Sequence, residues 1–174
     1  RSFAFLDLGC SAGKLVEQVL IDGHFAAGLD GSDYSIVRQR SAWGRIPNNL
    51  FTCDITKPFT LYSTKLLEHT GLILPFRFDV ISCFEVLEHL PEETLPQFFQ
   101  NVRDHLVPDG IFTISVSDQR GYHHRTVQSR SWWTYLFDRE GFRNNQEICN
   151  TIGNTWPRGP SDPSSFNMAL QRKE

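Results

Sequence analysis

Apolar and polar positions follow two alternating patterns along this chain. Residues 3–8 (Phe3-Ala4-Phe5-Leu6-Asp7-Leu8) form an apolar run with a single acid, the pattern of a buried strand. From Lys14 to Ile21, Leu15, Val19 and Leu20 share one helical face, and Asp22-Gly23 ends the segment. A second strand is predicted at 25–30 and a third at 49–54, each ending in an acid, Asp30 and Asp54. Between them a helix is predicted over 33–42, with Ser32 as its cap. Residues 55–77 are less regular, and a short helix at 63–69 fits there. Residues 78–84 read as the clearest strand. Pro91-Glu92-Glu93 then opens an amphipathic helix with Leu95, Phe98, Phe99, Val102 and Leu106 on its apolar side. Pro108-Asp109-Gly110 should stop it, and 111–116 should be a fifth strand. After a polar stretch at 117–130, Ser131 is the expected cap of a helix ended by Gly141. Strands at 142–149 and 166–171 complete the pattern, with a Gly/Pro-rich loop between them.

Strands that alternate with helices argue for a parallel sheet covered on both faces. The predicted fold class is α/β: a single doubly wound, Rossmann-like, mostly parallel seven-stranded sheet. The last two strands, with no helix between them, should form an antiparallel edge hairpin. One domain over residues 1–174 is expected. It starts abruptly at its first strand, as if an N-terminal lid segment or flanking domains of a larger chain stood before it.

Composition narrows the class. Of 174 residues, 40% are hydrophobic and 21% charged, which excludes a disordered or fibrous chain. Seventeen basic against twenty acidic residues give a net charge of −3, so no basic excess points to a nucleic-acid backbone. No uncharged apolar run reaches the roughly 20 residues that span a bilayer, so no membrane partner is expected. Cys10, Cys53, Cys83 and Cys149 form no CxxC pair, and they fit small buried side chains in a reducing cytoplasm.

Ligands of such sheets bind at the carboxyl ends of the strands. Three features collect there. The turn Gly9-Cys10-Ser11-Ala12-Gly13 joins strand to helix and presents free N–H groups. Asp30 could accept both hydroxyls of a ribose, and Asp54 could accept from an adenine amino group. Past the fourth strand, Glu85, Glu88 and His89 have i, i+3, i+4 spacing, which one helical turn would gather on one face. Two carboxylates and an imidazole could hold a divalent cation such as Mg²⁺ or Mn²⁺, with His123 or His124 as a fourth ligand. Without a cation, His89 or His123 could act as a general base.

The segments LDLGCSAGKL, AAGLDGSDYS, FTCDI, FDVISCFEVLEHLPEE and HLVPDGIFTISV resemble class I S-adenosylmethionine-dependent methyltransferases over nearly the whole chain. The usual GxGxG pattern has Ser11 at its middle position here. The resemblance implies that Asp7, Gly9 and Gly13 shape the methionine end of S-adenosylmethionine, with Cys10 and Ser11 in the same turn. It places Asp30 and Gly31 at the ribose, Asp54 and Ile55 at the adenine, and Phe84 and Glu85 beside the sulfonium. The Glu-x-x-Glu-His set with a later histidine resembles two branches. One comprises ubiquinone-pathway O-methyltransferases acting on polyphenols. The other comprises 2′-O-methyltransferases acting on the RNA 3′ end. In both branches the matching residues are associated with a divalent cation, which carries over to Glu85, Glu88, His89 and His123. Glu88, His89 and His123 are then the expected catalytic groups. The stretch HHRTVQSRSWW is more similar to methyltransferases of saccharides or secondary metabolites, which makes His124, Arg125, Trp132 and Trp133 candidates to meet a small hydroxylated acceptor. Of the two tryptophans, one should pack on the sheet and the other could wall the acceptor. A non-catalytic methyltransferase-like module is the reading from another class.

Overall fold

The alternation of apolar runs and amphipathic stretches produces one seven-stranded sheet in the computed structural model, which describes residues 2–153 and 165–173. The strands are β1 (Ala4–Leu8), β2 (Phe25–Asp30), β3 (Leu50–Thr52), β4 (Phe78–Phe84), β5 (Leu106–Ser117), β6 (Phe142–Asn144) and β7 (Ser165–Arg172). Their order is β3-β2-β1-β4-β5-β7-β6. The first five pair in parallel, and β7 runs antiparallel to both its neighbours. The helices are α1 (Lys14–Ile21), α2 (Tyr34–Val37), α3 (Thr64–Thr70), α4 (Leu95–His105), α5 (Arg130–Arg139) and α6 (Gln146–Ile152). This is the expected α/β, Rossmann-like architecture. Among the described residues, no helix is long and apolar enough to cross a membrane.

Successive side chains of a strand point to opposite faces, so each face of the sheet builds its own core. Phe5 of β1 joins Val16 of α1, with Trp43 and Leu50, in the smaller core. Leu6 and Leu8 join Phe98, Phe99 and Val102 of α4, with Trp133 and Phe137 of α5, in the larger one. The direction of travel across the sheet reverses between β1 and β4. The crevice at their carboxyl ends is therefore where a ligand of such a fold sits.

Several boundaries depart from the sequence expectation for identifiable reasons. The helix expected at 33–42 ends at Val37, because Gln39 and Ser41 adopt φ of 45° and 53°; a 3₁₀ turn at Ser41–Gly44 follows. Pro91 opens a 3₁₀ turn, Glu92–Thr94, before α4 begins. Residues 108–110 do not separate α4 from a later strand. They bulge within β5, where Phe78 pairs with Leu106 but Val80 pairs with Ile111. The α5 cap is Ser129, not Ser131: the Ser129 hydroxyl accepts from the Trp132 N–H at 3.3 Å. The strand expected at 142–149 stops at Asn144, since Asn145 caps α6 by accepting from the Ile148 N–H at 3.0 Å. A helix thus intervenes between β6 and β7, yet the two still pair antiparallel at the edge. Of the Gly/Pro-rich loop expected there, 154–164 lie outside the described residues.

Candidate active site

The β1–α1 turn is built around a residue that must lack a side chain. Gly9 has φ +82°, and a Cβ on it would lie 2.3 Å from Val86 Cγ2. Its N–H and that of Cys10 donate to the Leu29 carbonyl at 2.8 and 2.9 Å, which pins the turn to β2. Asp30, at the end of β2, clamps the same turn. Its Oδ2 accepts from the Ser11 N–H at 2.7 Å, and its Oδ1 accepts from the Ser32 N–H at 3.0 Å. Ser11 stands at φ +46°, and its carbonyl accepts from Trp43 Nε1 at 2.7 Å. Gly13 closes the turn by donating to the Cys10 carbonyl at 2.8 Å, and Gly31 is exposed just past Asp30.

Asp7 lies beneath this turn, 6% exposed, and accepts from Ser82 Oγ at 2.6 Å. Burial pushes its carboxyl up to about 6, the Asp30 charge adds to the shift, and the Ser82 bond opposes it. Asp54 is exposed. It accepts from Thr56 Oγ1 at 2.6 Å and pairs with Lys57 at 3.2 Å, and these donors, Thr56 first, hold its carboxyl below the usual range. Ile55 is buried, and its carbonyl accepts from Asn101 Nδ2 at 3.0 Å. His105, the last residue of α4, is 1% exposed. Its Nε2 accepts from the Leu61 N–H at 3.0 Å, and Nδ1–H donates to the Asn101 carbonyl at 2.8 Å. Asn101 and His105 of α4 thereby hold the chain that leaves β3. Sequence gave no signal for this, because both positions read as the polar side of a helix.

The chemistry-bearing turn begins where β4 ends at Phe84. Glu85 sits at φ +56°, and its N–H meets the Ser115 carbonyl and Oγ, each at 3.1 Å. A 3₁₀ turn, Leu87–His89, follows in place of the expected α-helical turn. It carries Glu88 inward, to full burial. Glu88 Oε1 accepts from the Ser117 N–H at 3.3 Å. Burial pushes the Glu88 carboxyl up to about 7, with the neighbouring Glu85 charge in support. Its Oε2 is buried with no hydrogen-bond partner while both carboxyls are ionised; a proton shared with Glu85, or a cation, would satisfy it. The ligand atoms of Glu88, His89 and His124 lie within 4.8 Å of one another. The His89 and His124 rings stand perpendicular, with centroids 4.9 Å apart.

The later histidine is therefore His124, not His123. His123 takes φ +61° and turns its ring against Tyr122, with centroids 3.8 Å apart. It reaches the cluster only through its carbonyl, 3.2 Å from His89 Nδ1. The loop is tied down by main chain: the Glu88 carbonyl accepts from the Arg125 and Thr126 N–H groups at 2.7 and 3.0 Å. Buried Thr126 also donates its hydroxyl to the Leu90 carbonyl at 2.7 Å. The Arg125 side chain is exposed. Of the two tryptophans, Trp133 is fully buried among Leu136, Phe137 and the sheet, so it cannot meet an acceptor. Trp132 is half-buried and lines a hollow of about 340 Å³ with Glu92, Glu93, Leu136 and Arg139.

The geometry offers a strand-end acid of β2 bonded to the β1–α1 turn and, past β4 on the other side of β1, a carboxylate–imidazole cluster. Val86 joins them, because its side chain covers Gly9 and it precedes Leu87 in the turn. A buried carboxylate short of donors, a second carboxylate beside it and two imidazoles suit an oxygen-preferring divalent cation. An imidazole nitrogen that holds no cation can instead accept a proton.

The family model for a methyltransferase domain matches residues 4–151. A ubiquinone biosynthesis O-methyltransferase from Haemophilus ducreyi is 31% identical over 112 residues, covering 63% of this chain and 43% of that protein. The chain thus spans less than half the length of this relative. The crystal structure of a TehB-like SAM-dependent methyltransferase from Corynebacterium glutamicum is 18% identical with a TM-score of 0.72, covering 99% of this chain and 82% of that one. A Burkholderia thailandensis 1,6-didemethyltoxoflavin-N1-methyltransferase, solved with its substrate and S-adenosylhomocysteine, is 17% identical with a TM-score of 0.66 and covers 100% and 72%. At these identities the two structures establish the shared fold.

Proposed function

This chain belongs to the methyltransferase domain family, and from that premise we propose that it is an S-adenosylmethionine-dependent O-methyltransferase of small hydroxylated acceptors. Saccharides, polyphenols and hydroxylated secondary metabolites are the acceptor class. The observation that carries the oxygen acceptor is the Glu88, His89 and His124 cluster, within 4.8 Å, on the turn that touches the Gly9 loop. The O-methyltransferase relative supports the same choice.

Cofactor binding rests on β1 and β2. Asp30 holds the turn through Ser11 and offers its carboxylate to the ribose hydroxyls. Gly9, Cys10, Ser11 and Gly13 present backbone to the methionine end, above Asp7. Asp54 and Ile55 flank the adenine, and Phe84 and Glu85 lie beside the sulfonium. Transfer is an in-line displacement: the acceptor oxygen forms a bond to the methyl carbon as the carbon–sulfur bond breaks, with the electron pair left on sulfur. The acceptor's proton must leave. Without a cation, His89 or His124 takes it, and placement of the oxygen supplies much of the rate. Glu85, Glu88, His89 and His124 would hold a divalent cation, Mg²⁺ or Mn²⁺. When bound, the ion lowers the pKa of a coordinated acceptor hydroxyl.

The test is transfer of labelled methyl from S-adenosylmethionine to a panel of catechols, sugars and a short RNA, with and without chelator. The expected result is label on the oxygen of an acceptor with neighbouring hydroxyls, lost with chelator. Label on nitrogen would refute the acceptor class, and transfer untouched by chelator would refute the cation. Preference for the RNA 3′-terminal ribose, weakened steeply by salt, would assign the acceptor to nucleic acid instead. Failure to bind S-adenosylhomocysteine would reduce the chain to a non-catalytic module.

A further inference from the structure

Two backbone carbonyls and one glycine decide how the imidazoles of the cluster are presented. A carbonyl only accepts, so each ring nitrogen that meets one must carry the proton. His124 Nδ1 lies 2.7 Å from the Gln119 carbonyl, and His89 Nδ1 lies 3.2 Å from the His123 carbonyl. Both neutral rings are thereby held as the Nδ1–H tautomer, which leaves Nε2 as the atom with the free lone pair. The His124 ring also rests directly on Gly121. A Cβ built on Gly121 would stand 2.6 Å from both Cε1 and Nε2 of His124 and 3.0 Å from Cδ2, its three nearest neighbours. Gly121 is not among the glycines with positive φ. Its backbone therefore tolerates a side chain, and the His124 ring does not.

Resting on the cation-assisted reading above, we infer that Gly121 is a positioning residue for His124. Its bare Cα is the seat that lets the imidazole bond the Gln119 carbonyl and stand beside Glu88 and His89. The far ends of this device are fixed independently. The His124 N–H donates to the Gly121 carbonyl at 3.3 Å, and the Arg125 and Thr126 N–H groups hold the following residues on the Glu88 carbonyl. A methyl group at position 121 therefore meets the His124 ring first and should displace it.

The test is calorimetric titration of Mn²⁺ into S-adenosylhomocysteine-saturated protein, for the wild type, Gly121→Ala, His124→Ala and the double variant. Gly121→Ala should weaken Mn²⁺ about tenfold or more, the range found when the support of a metal ligand is lost. It should cost nothing further in the His124→Ala background, and its Tm should match wild type. Equal losses in both backgrounds would overturn the inference, as would unchanged Mn²⁺ affinity in Gly121→Ala when the wild type binds. If the wild type binds no Mn²⁺, the cation reading fails, and the inference is decided by the imidazole ¹⁵N spectrum. Wild-type His124 should then show a single Nδ1–H tautomer that becomes mixed in Gly121→Ala. An identical tautomer in both proteins would overturn the inference.

Discussion

The two halves of the site are assembled by different means. The Gly9 turn is held by strand register: β1 and β2 pair residue for residue, so the turn and Asp30 meet wherever those strands pair. The Glu88, His89 and His124 cluster lies in two loops beyond the last ladder pair of β4 and β5, Phe84 with Ser115. Its geometry depends on the Glu88 carbonyl gripping residues 125 and 126, and on the left-handed turn at His123. A ladder tolerates side-chain changes, because its bonds are main chain. A loop seat such as this one can be moved by a single methyl group. One half should thus lose affinity when altered, and the other should lose chemistry.

The largest effect should separate the halves. Glu88→Gln keeps the shape and removes the charge, and turnover should fall about 1,000-fold, within the span set by removal of acid–base function. Affinity for S-adenosylhomocysteine, read by calorimetry, should not change. Parallel loss of both would break the comparison.

Asp7 gives the next largest effect, on stability. Its folded pKa is raised from 3.8 to about 6. Its contribution is therefore full below pH 3.8 and is lost as pH rises through about 6. Asp7→Asn should be more stable than wild type by about 3 kcal/mol at pH 8 and equal to it at acid pH, since each unit is worth about 1.4 kcal/mol. Thermal melts across pH check this. His105, lowered by burial, shifts stability in the opposite sense and is common to both proteins.

Asp30→Ala removes a carboxylate that accepts two N–H bonds and faces the ribose. Affinity for S-adenosylhomocysteine should fall about 100-fold, as expected for one or two charge-assisted bonds. Turnover at saturating cofactor should stay near wild type. Ser11→Gly should have the smallest effect. Relief of a left-handed serine is worth about 1–2 kcal/mol, and the added freedom of the unfolded chain returns about 0.4–1. A net gain of about 0.5 kcal/mol in denaturant melts is expected.

The same contrast explains what could be read from sequence. β4 was legible to its ends because it is a seven-residue, mostly apolar run with no glycine or proline inside it. Gly9 and Asp30 were placed by the ends of β1 and β2, whereas the strand expected at 49–54 stops at Thr52 and leaves Asp54 two residues beyond it. Elements governed by single backbone torsions were not. Gln39 and Ser41 cut a helix that its side chains favour, and a bulge at 107–110 lengthened β5 past a proline and a glycine. His123 and His124 are adjacent, and only the φ of +61° at His123 decides which imidazole joins the cluster. Trp133 and Trp132 were separable in principle but not assignable, because the cap lay two residues earlier than Ser131. Gly121 and Thr126 carried no spacing at all, since their partners lie in another segment.

Titration of Mn²⁺ into wild-type, His123→Ala and His124→Ala proteins saturated with S-adenosylhomocysteine tests the central claim most directly. Micromolar binding that survives in His123→Ala and is weakened at least tenfold in His124→Ala is predicted. No binding by the wild type, or loss in His123→Ala with retention in His124→Ala, would contradict the account.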